Sequence, residues 1–498
     1  MNDGTENAKV KHLAKDTEYF DLIIAGGGPA GMAAAVQARE DGLERVLLVE
    51  RGKSLGGILP QCIHDGFGLQ EFGETLTGPE YAHRWKLKVE ESGVLCRTDA
   101  TVTGCRSVGD DDGEIMYVLE IASPEYGIKE AACRSLILAS GCRERTRGQL
   151  RIPGSRPAGV YTAGAVQYMM NVQNYLPGKR AVILGSGDIG LIMARRMMWE
   201  GIHVSMILGE KASGLLRNYV QCVRDWNIPI RFSSTVTSIH GRKRLTGVTV
   251  TPEDENGNPD YSRSEYVRCD LLVIAAGLIP ETEIWKELWL SEGRKPEPVK
   301  SPDETCTQRP GIFVCGNVSR QYDTVDEVTQ SGRRAGREAV RYLRKDSGLE
   351  PLELLKAEPQ HVITDEDIEY FTSPQVSDDV VYCICCPRGC RITVNGTKIS
   401  GFGCITGKQY AMQEHDSPRR IVTTTLPVEG KADILVPVRT SVPVAKSEVA
   451  DVLAKCRRIH VKLPVAAGEV IRSNITGAPD EDPDDEKADL ISCADVSG

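Results

Sequence analysis

The sequence predicts an α/β chain of two doubly wound parallel sheets followed by a small C-terminal cysteine-rich α+β domain. Three observations lead there. A strand-like apolar run leads into glycines at Gly26, Gly28 and Gly31, and the same arrangement returns at Gly185, Gly187 and Gly190. Five of the 16 cysteines crowd between Cys383 and Cys404. At 498 residues the chain is too long for one ordinary core, and about three domains are expected.

Residues 20–25 are apolar and β-branched, the composition of a parallel strand buried on both faces. A helix of small residues is expected over 31–39 and a second strand over 45–50, which completes a βαβ unit. Residues 180–185, a helix over 189–199 and a strand over 202–208 repeat that order. Strand-then-glycine segments follow at 135–141, 270–277 and 311–317, the last before a helix over 333–343. Residues 346–379 are polar and Pro-bearing and read as a linker. A cysteine-containing domain is expected over 380–477, and an acidic disordered tail over 478–498.

Composition narrows the function classes. Residues 480–489 carry seven acids against one Lys, so −6 of the net charge of −10 sits in one short stretch. The rest is close to neutral and offers no basic footprint for nucleic acid. No run approaches the roughly 18 apolar residues of a membrane span. Residues 1–16 are polar and lack the apolar core of a secretory signal. A cytoplasmic, reducing setting is therefore expected, in which cysteines serve as metal ligands or buried small residues rather than disulfides.

Each glycine of the first motif has a physical role. Gly26 permits a tight turn, Gly28 lets the backbone approach a pyrophosphate, and Gly31 lets helix and strand pack closely. The helix N-terminus supplies N–H groups for the phosphates, and Glu50 can accept from ribose hydroxyls. In the second motif the spot equivalent to Glu50 is Gly209, followed by Glu210 and Lys211. An acid there favours NAD and a cation NADP; the pair leans to NAD and leaves NADP open.

In this order the motifs resemble the flavoproteins with two dinucleotide-binding domains, the group that includes thioredoxin and glutathione reductases. The resemblance covers roughly residues 20–345. It implies two Rossmann-like domains, the NAD domain inserted in the FAD domain: FAD binding over 19–160 and 278–345, NAD(P) binding over 161–277. The implied FAD set is Gly26, Gly28, Pro29, Ala30, Gly31, Glu50, Arg51, Gly57, Ala139, Gly141, Gly316 and Asn317. Asn317 stands where the group carries Asp. The implied NAD(P) set is Gly185, Gly187, Asp188, Ile189, Gly190, Glu210 and Gly277. Ala139-Ser140-Gly141 and Ala276-Gly277-x-x-Pro280 resemble the hinge strands between the domains. Gly56-Gly57, Gln61-Cys62, His64, Gly66-Phe67-Gly68 and Thr162-Ala163-Gly164-Ala165-x-Gln167 resemble the FAD/NAD(P) oxidoreductases found with glycerol-3-phosphate dehydrogenases in bacterial operons. They are also similar to the flavin subunits of sarcosine-oxidase-like and cyanide-synthase-like complexes.

Disulfide reductases need two thiols in C-x2-C or C-x4-C spacing near the flavin, and no such pair precedes Cys383. Cys62 and His64 follow the Gly56-Gly57 turn, where those enzymes carry their thiols. Both are candidate proton or thiol participants; a buried Cys and a hydrogen-bonded His is the plainer reading.

Cys383, Cys386, Cys390 and Cys404 make C-x2-C-x3-C-x13-C, with glycines at 389, 403 and 407. Closely spaced thiolates on a tight loop with a distant fourth suit an iron–sulfur cluster, and a structural zinc is the alternative. Cys385 could substitute for Cys383 or Cys386. The pattern is similar to the 4Fe–4S motif of molybdopterin oxidoreductases. With Pro418-x-Arg420 and Thr423-Thr-Thr425 it resembles a four-cysteine domain found beside glycerol-3-phosphate-linked flavoproteins. The expectation is an FAD-dependent NAD(P)H:acceptor oxidoreductase, working as an oligomer or within a complex. It would pass electrons to or from a glycerol-3-phosphate dehydrogenase-like partner. The alternatives are a self-contained dehydrogenase of a small amine or hydroxy acid, and a zinc-stabilised interaction subunit.

Overall fold

Alternate residues of the strand Glu18–Ala25 enter two different cores: Leu22 and Ile24 one, Ile23 and Ala25 the other. That is why an unbroken apolar run, rather than an alternating one, builds this strand. The computed structural model describes residues 16–109, 115–295, 297, 305–345, 352, 363–372, 379–386, 388–477 and 487–497. The chain forms two units, residues 1–143 with 279–356 and residues 144–278 with 357–498.

In the first unit a seven-stranded sheet runs in the order Leu95–Arg97, Val46–Val49, Glu18–Ala25, Gly127–Leu138, Ile115–Ser123, Thr101–Gly109, with Ile312–Val314 also on Gly127–Leu138. Gly127–Leu138 is the branch. Its first half pairs antiparallel with Ile115–Ser123, and its end pairs parallel with Ile312–Val314. The helix Pro29–Glu40 lies against Val325–Arg344, where a Cβ on Gly332 would fall 2.1 Å from Ala30 O and one on Gly336 2.4 Å from Ala34 O. Two glycines four residues apart thus let the helices touch backbone to backbone. The second helix begins eight residues before the expected 333. Thr324 accepts from Glu327 N while Glu327 accepts from Thr324 N, a reciprocal cap worth about 1 kcal/mol.

In the second unit a five-stranded sheet runs Val160–Thr162, Leu271–Ile274, Arg180–Leu184, His203–Leu208, Ile230–Arg231, all parallel. The chain enters this unit after residue 143 and leaves after 278, so the expected boundary at 160 is too late. Residues 144–160 belong here because Ile152 packs with Val182 and Leu184, and Ser155 N donates to Ile239 O at 3.2 Å.

The rest of the second unit corrects two further expectations. Within the supposed linker, Asp365–Thr372 is a helix. Thr364 and Asp367 cap it reciprocally, and Phe371 packs on Tyr219 at 5.3 Å. Within the supposed disordered tail, Leu490–Ser492 is a strand between Lys431–Thr440 and Val470–Arg472. Leu490 is fully buried, so its apolar burial prevails over the acidic character of the preceding stretch. The acidic run 478–486 lies outside the described residues. The cysteine region itself has two cores. Val381, Cys383, Ile392, Val394 and Ala411 make the small one, and Thr423–Val428, Lys431–Thr440 and the helix Val449–Cys456 frame the other. Among the described residues no helix is long and apolar enough to cross a membrane.

Candidate functional site

In the first unit the chain winds outward from Glu18–Ala25 through Val46–Val49 to Leu95–Arg97, then returns to Gly127–Leu138 on the other side. Doubly wound sheets open a crevice at such a reversal, beyond the carboxyl ends of the strands. Three separated sequence motifs meet there. A Cβ on Gly26 (φ +116°) would fall 2.3 Å from Ala139 O, and one on Gly31 1.8 Å from Gly26 O. A Cβ on Gly316 would lie 2.9 Å from Ala30 Cβ, and Gly316 N donates to Ser331 Oγ at 2.9 Å. Gly28 caps the helix Pro29–Glu40 in an extended conformation, and Pro29 occupies its first turn, where no N–H is missed. A Cβ at Gly28 would have Gly57 Cα, at 3.9 Å, as its nearest described contact. The helix N-terminus therefore faces a cradle that a side chain would fill, which fits a pyrophosphate. Glu50 spans the loop, accepting from Gly27 N at 2.7 Å and Gly52 N at 2.6 Å. Arg51 is exposed, and Asn317 Oδ1 accepts from Tyr322 N at 3.3 Å.

Cys62 is buried, and Gly78 N donates to its carbonyl at 2.9 Å, fixing it at the start of the helix Gly78–Ser92. The ring of His64 lies 4.9 Å from that of Phe67. Sequence reasoning missed Asp326. It is buried, accepts from Gln70 N at 3.0 Å through Oδ2, and leaves Oδ1 without a described partner. Burial raises its pKa above the ordinary carboxylate range.

The second unit repeats the geometry. A Cβ on Gly185 would fall 2.2 Å from Ala275 O, and one on Gly190 2.2 Å from Gly185 O. Gly187 caps the helix Asp188–Trp199 in the extended conformation of Gly28, and Ile189 follows in its first turn. Asp188 Oδ1 accepts from Leu215 N at 2.6 Å and Asn218 Nδ2 at 2.8 Å, so it holds the following loop. Glu210 is exposed beyond the neighbouring strand. Gly277 O accepts from Arg145 N at 3.0 Å. Glu144 is a further residue that motif reading passed over. Its Oε2 accepts from Gly164 N at 2.8 Å at the start of the helix Ala163–Asn171, and burial raises its pKa.

The thiols gather around two glycines. The ideal Cβ position of Gly407 lies 3.5 Å from Cys383 Sγ and 3.7 Å from Cys404 Sγ, and that of Gly403 lies 3.2 Å from Cys390 Sγ. Cys404 caps the helix Ile405–Asp416, its Sγ accepting from Gly407 N at 3.3 Å. Cys383 N donates to Cys390 O at 2.9 Å, and Gly389 N to Cys386 O at 3.4 Å. Cys383 and Cys385 share a hydrogen bond that pushes the first thiol's pKa up and the second's down. In kind the donors fit a thiolate-held metal group. Among the described residues, no three His, Cys, Asp or Glu side chains are drawn to metal-holding distance. No disulfide forms among the described cysteines.

Residues 20–332 match the family described as pyridine nucleotide-disulphide oxidoreductase. The chain belongs to this family. As a member of this FAD- and NAD(P)-binding family it is a flavin-dependent oxidoreductase. Residues 406–479 match a second family, a protein of unknown function, DUF1667. Hydrogen cyanide synthase subunit HcnB of Pseudomonas protegens is 28% identical over 54% of this chain and 58% of its own length. An opine oxidase subunit of Agrobacterium tumefaciens is 24% identical over 60% and 61%. The chain thus spans about three fifths of these relatives. Among solved structures, thioredoxin reductase of Lactococcus lactis superposes with a TM-score of 0.51 at 22% identity, over 66% of this chain and 99% of that one. That likeness shows the fold of this family member.

Proposed function

We propose that this flavoprotein passes electrons between NAD(P)H and a partner dehydrogenase of glycerol-3-phosphate dehydrogenase type, through FAD and a 4Fe–4S cluster held by Cys383, Cys386, Cys390 and Cys404. The observation that carries this reading is the approach of Cys383 Sγ and Cys404 Sγ to one glycine, Gly407. With no C-x2-C or C-x4-C pair before Cys383, this thiol group is the exit for electrons in this reading. FAD, when bound, takes two electrons as a hydride and can release them singly, which suits it to stand between nicotinamide and a one-electron carrier.

The chain's own residues hold and orient. The N–H groups behind Gly28, in the turn of Pro29, Ala30 and Gly31, would meet one pyrophosphate, and those behind Gly187 the other. Glu50, Arg51, Gly57, Ala139, Gly141, Gly316 and Asn317 complete the FAD set. Asp188, Ile189, Glu210 and Gly277 complete the nicotinamide set, and Glu210 favours NAD. Cys62 and His64 would stand at the flavin. Relatives that belong to a cyanide synthase and an opine oxidase as subunits support membership of a complex. A cytoplasmic setting, where thiols stay reduced, belongs to the same reading.

The test is anaerobic. NADH should bleach the flavin, and a one-electron dye should then turn over. In Cys383→Ser and Cys404→Ser the bleaching should persist while dye turnover falls at least about tenfold. Full turnover in both variants would remove the thiols from the route.

A further inference from the structure

A cavity of about 150 Å³ lies in the second unit, between the helix Asp188–Trp199 and the C-terminal segment that carries Arg420 and Lys446. It sits at the far end of that helix from the glycine motif, about 18 Å along a twelve-residue helix. Five polar side chains line it, Arg195, Gln221, Asp225, Arg420 and Lys446. Arg195 is 7% exposed and Gln221 8% exposed. Among the described residues neither has a hydrogen-bond or ion-pair partner; Arg195 only stacks over Trp199, its guanidinium 4.9 Å from the ring centroid. A guanidinium and an amide that line a cavity without partners from the protein are open to a ligand that supplies an acceptor.

The rest of the wall defines that ligand. Arg420 already spends its donors on Asp225 and Glu414, and Lys446 Nζ lies 2.8 Å from Asp225 Oδ1. Three cations against these two carboxylates leave one positive charge, which Arg195 carries in excess. Trp199 and Trp226, edge to face at 5.7 Å, supply an apolar side. A cavity of this size holds a guest about as large as benzene. We propose that Arg195 and Gln221 bind a small monocarboxylate of up to about six heavy atoms, with its carboxylate on the guanidinium fork and its apolar end on the tryptophans. The inference does not depend on the redox reading, because no residue of the proposed cofactor or thiol sites takes part.

The experiment is a tryptophan-fluorescence titration of the full-length flavin-loaded protein at constant ionic strength. The probes are sodium propionate, its neutral isostere propionamide, and inorganic phosphate. Propionate should give a saturable change that propionamide does not. Arg195→Met should weaken propionate at least tenfold and Gln221→Leu a few-fold, with NADH bleaching of the flavin retained. Should Arg195→Met fail to fold, Gln221→Leu and the propionate–propionamide contrast decide alone. Equal responses to propionate and propionamide, saturation by phosphate only, or no saturation by any probe would each overturn the assignment.

Discussion

Arg420 grips Asp225 with two hydrogen bonds, Nε to Oδ2 at 2.7 Å and Nη2 to Oδ1 at 3.2 Å, and both side chains are more than nine-tenths buried. The same guanidinium donates to both oxygens of Glu414, at 2.7 and 2.6 Å. Through Asp225 this arginine helps tie the C-terminal segment to the part of its unit that carries the second glycine motif, beside Arg196 on Thr424 and Thr425 and Lys446 on Asp225. Removing one member of a buried pair strands the other, at a cost of about 3–5 kcal/mol. Arg420→Met should lower stability by that amount in chemical denaturation. A loss below about 1 kcal/mol would show the pair to be dispensable.

The same pair sets an acid limit. Burial alone would raise the carboxyl of Asp225, but hydrogen bonds and charge from Arg420 and Lys446 outweigh it and hold the pKa below the ordinary range. A carboxylate whose folded pKa is depressed stabilises fully above its unfolded value, about 3.9, and loses that contribution as pH falls through the folded value. Asp225→Asn should be less stable than the natural chain at pH 7 and should lose less on acidification below about pH 4. Parallel pH–stability curves for the two proteins would contradict this.

Asp326 runs the other way. Burial raises its pKa, so the ionised form strains the folded chain and that strain is relieved as pH falls through the raised value. Asp326→Asn should stabilise the flavin-free chain at pH 7 by about 1 kcal/mol, because Oδ1 lacks a described partner while Oδ2 keeps its bond from Gln70 N. The gain should shrink on acidification. Thermal melts at two pH values measure it.

The glycine contacts separate the two nucleotide sites. At Gly190 an added methyl would meet the backbone of Gly185 at 2.2 Å, and backbone cannot swing aside as a side chain can. Gly190→Ala should leave flavin content unchanged and slow NADH bleaching at least about tenfold. The corresponding Gly31→Ala, with a clash at 1.8 Å from Gly26 O, should instead deplete flavin.

Cys62→Ser is expected to keep FAD and to slow flavin reduction or reoxidation. Unchanged half-reactions would reduce Cys62 to a packed core thiol, in keeping with its burial.

Local grammar made much of this legible. Strand, glycine and helix in register announced both sheets, because Gly26 and Gly185 stand where no side chain fits. What stayed hidden depends on contacts distant in sequence. Arg195 belongs to no motif, and only the fold brings it to one cavity with Trp226 and Lys446. Glu144 and Asp326 belong to no motif and gain their character chiefly from burial. Leu490–Ser492 was obscured by the acids before it, although its strand is set by the neighbours it pairs with.

The most direct test of the central claim is iron, acid-labile sulfide and zinc analysis, with an absorption spectrum, on protein purified without air. About four irons and four sulfides per flavin are expected, with a broad band beneath the flavin peaks. Zinc, or no metal at all, beside a clean flavin spectrum would contradict it.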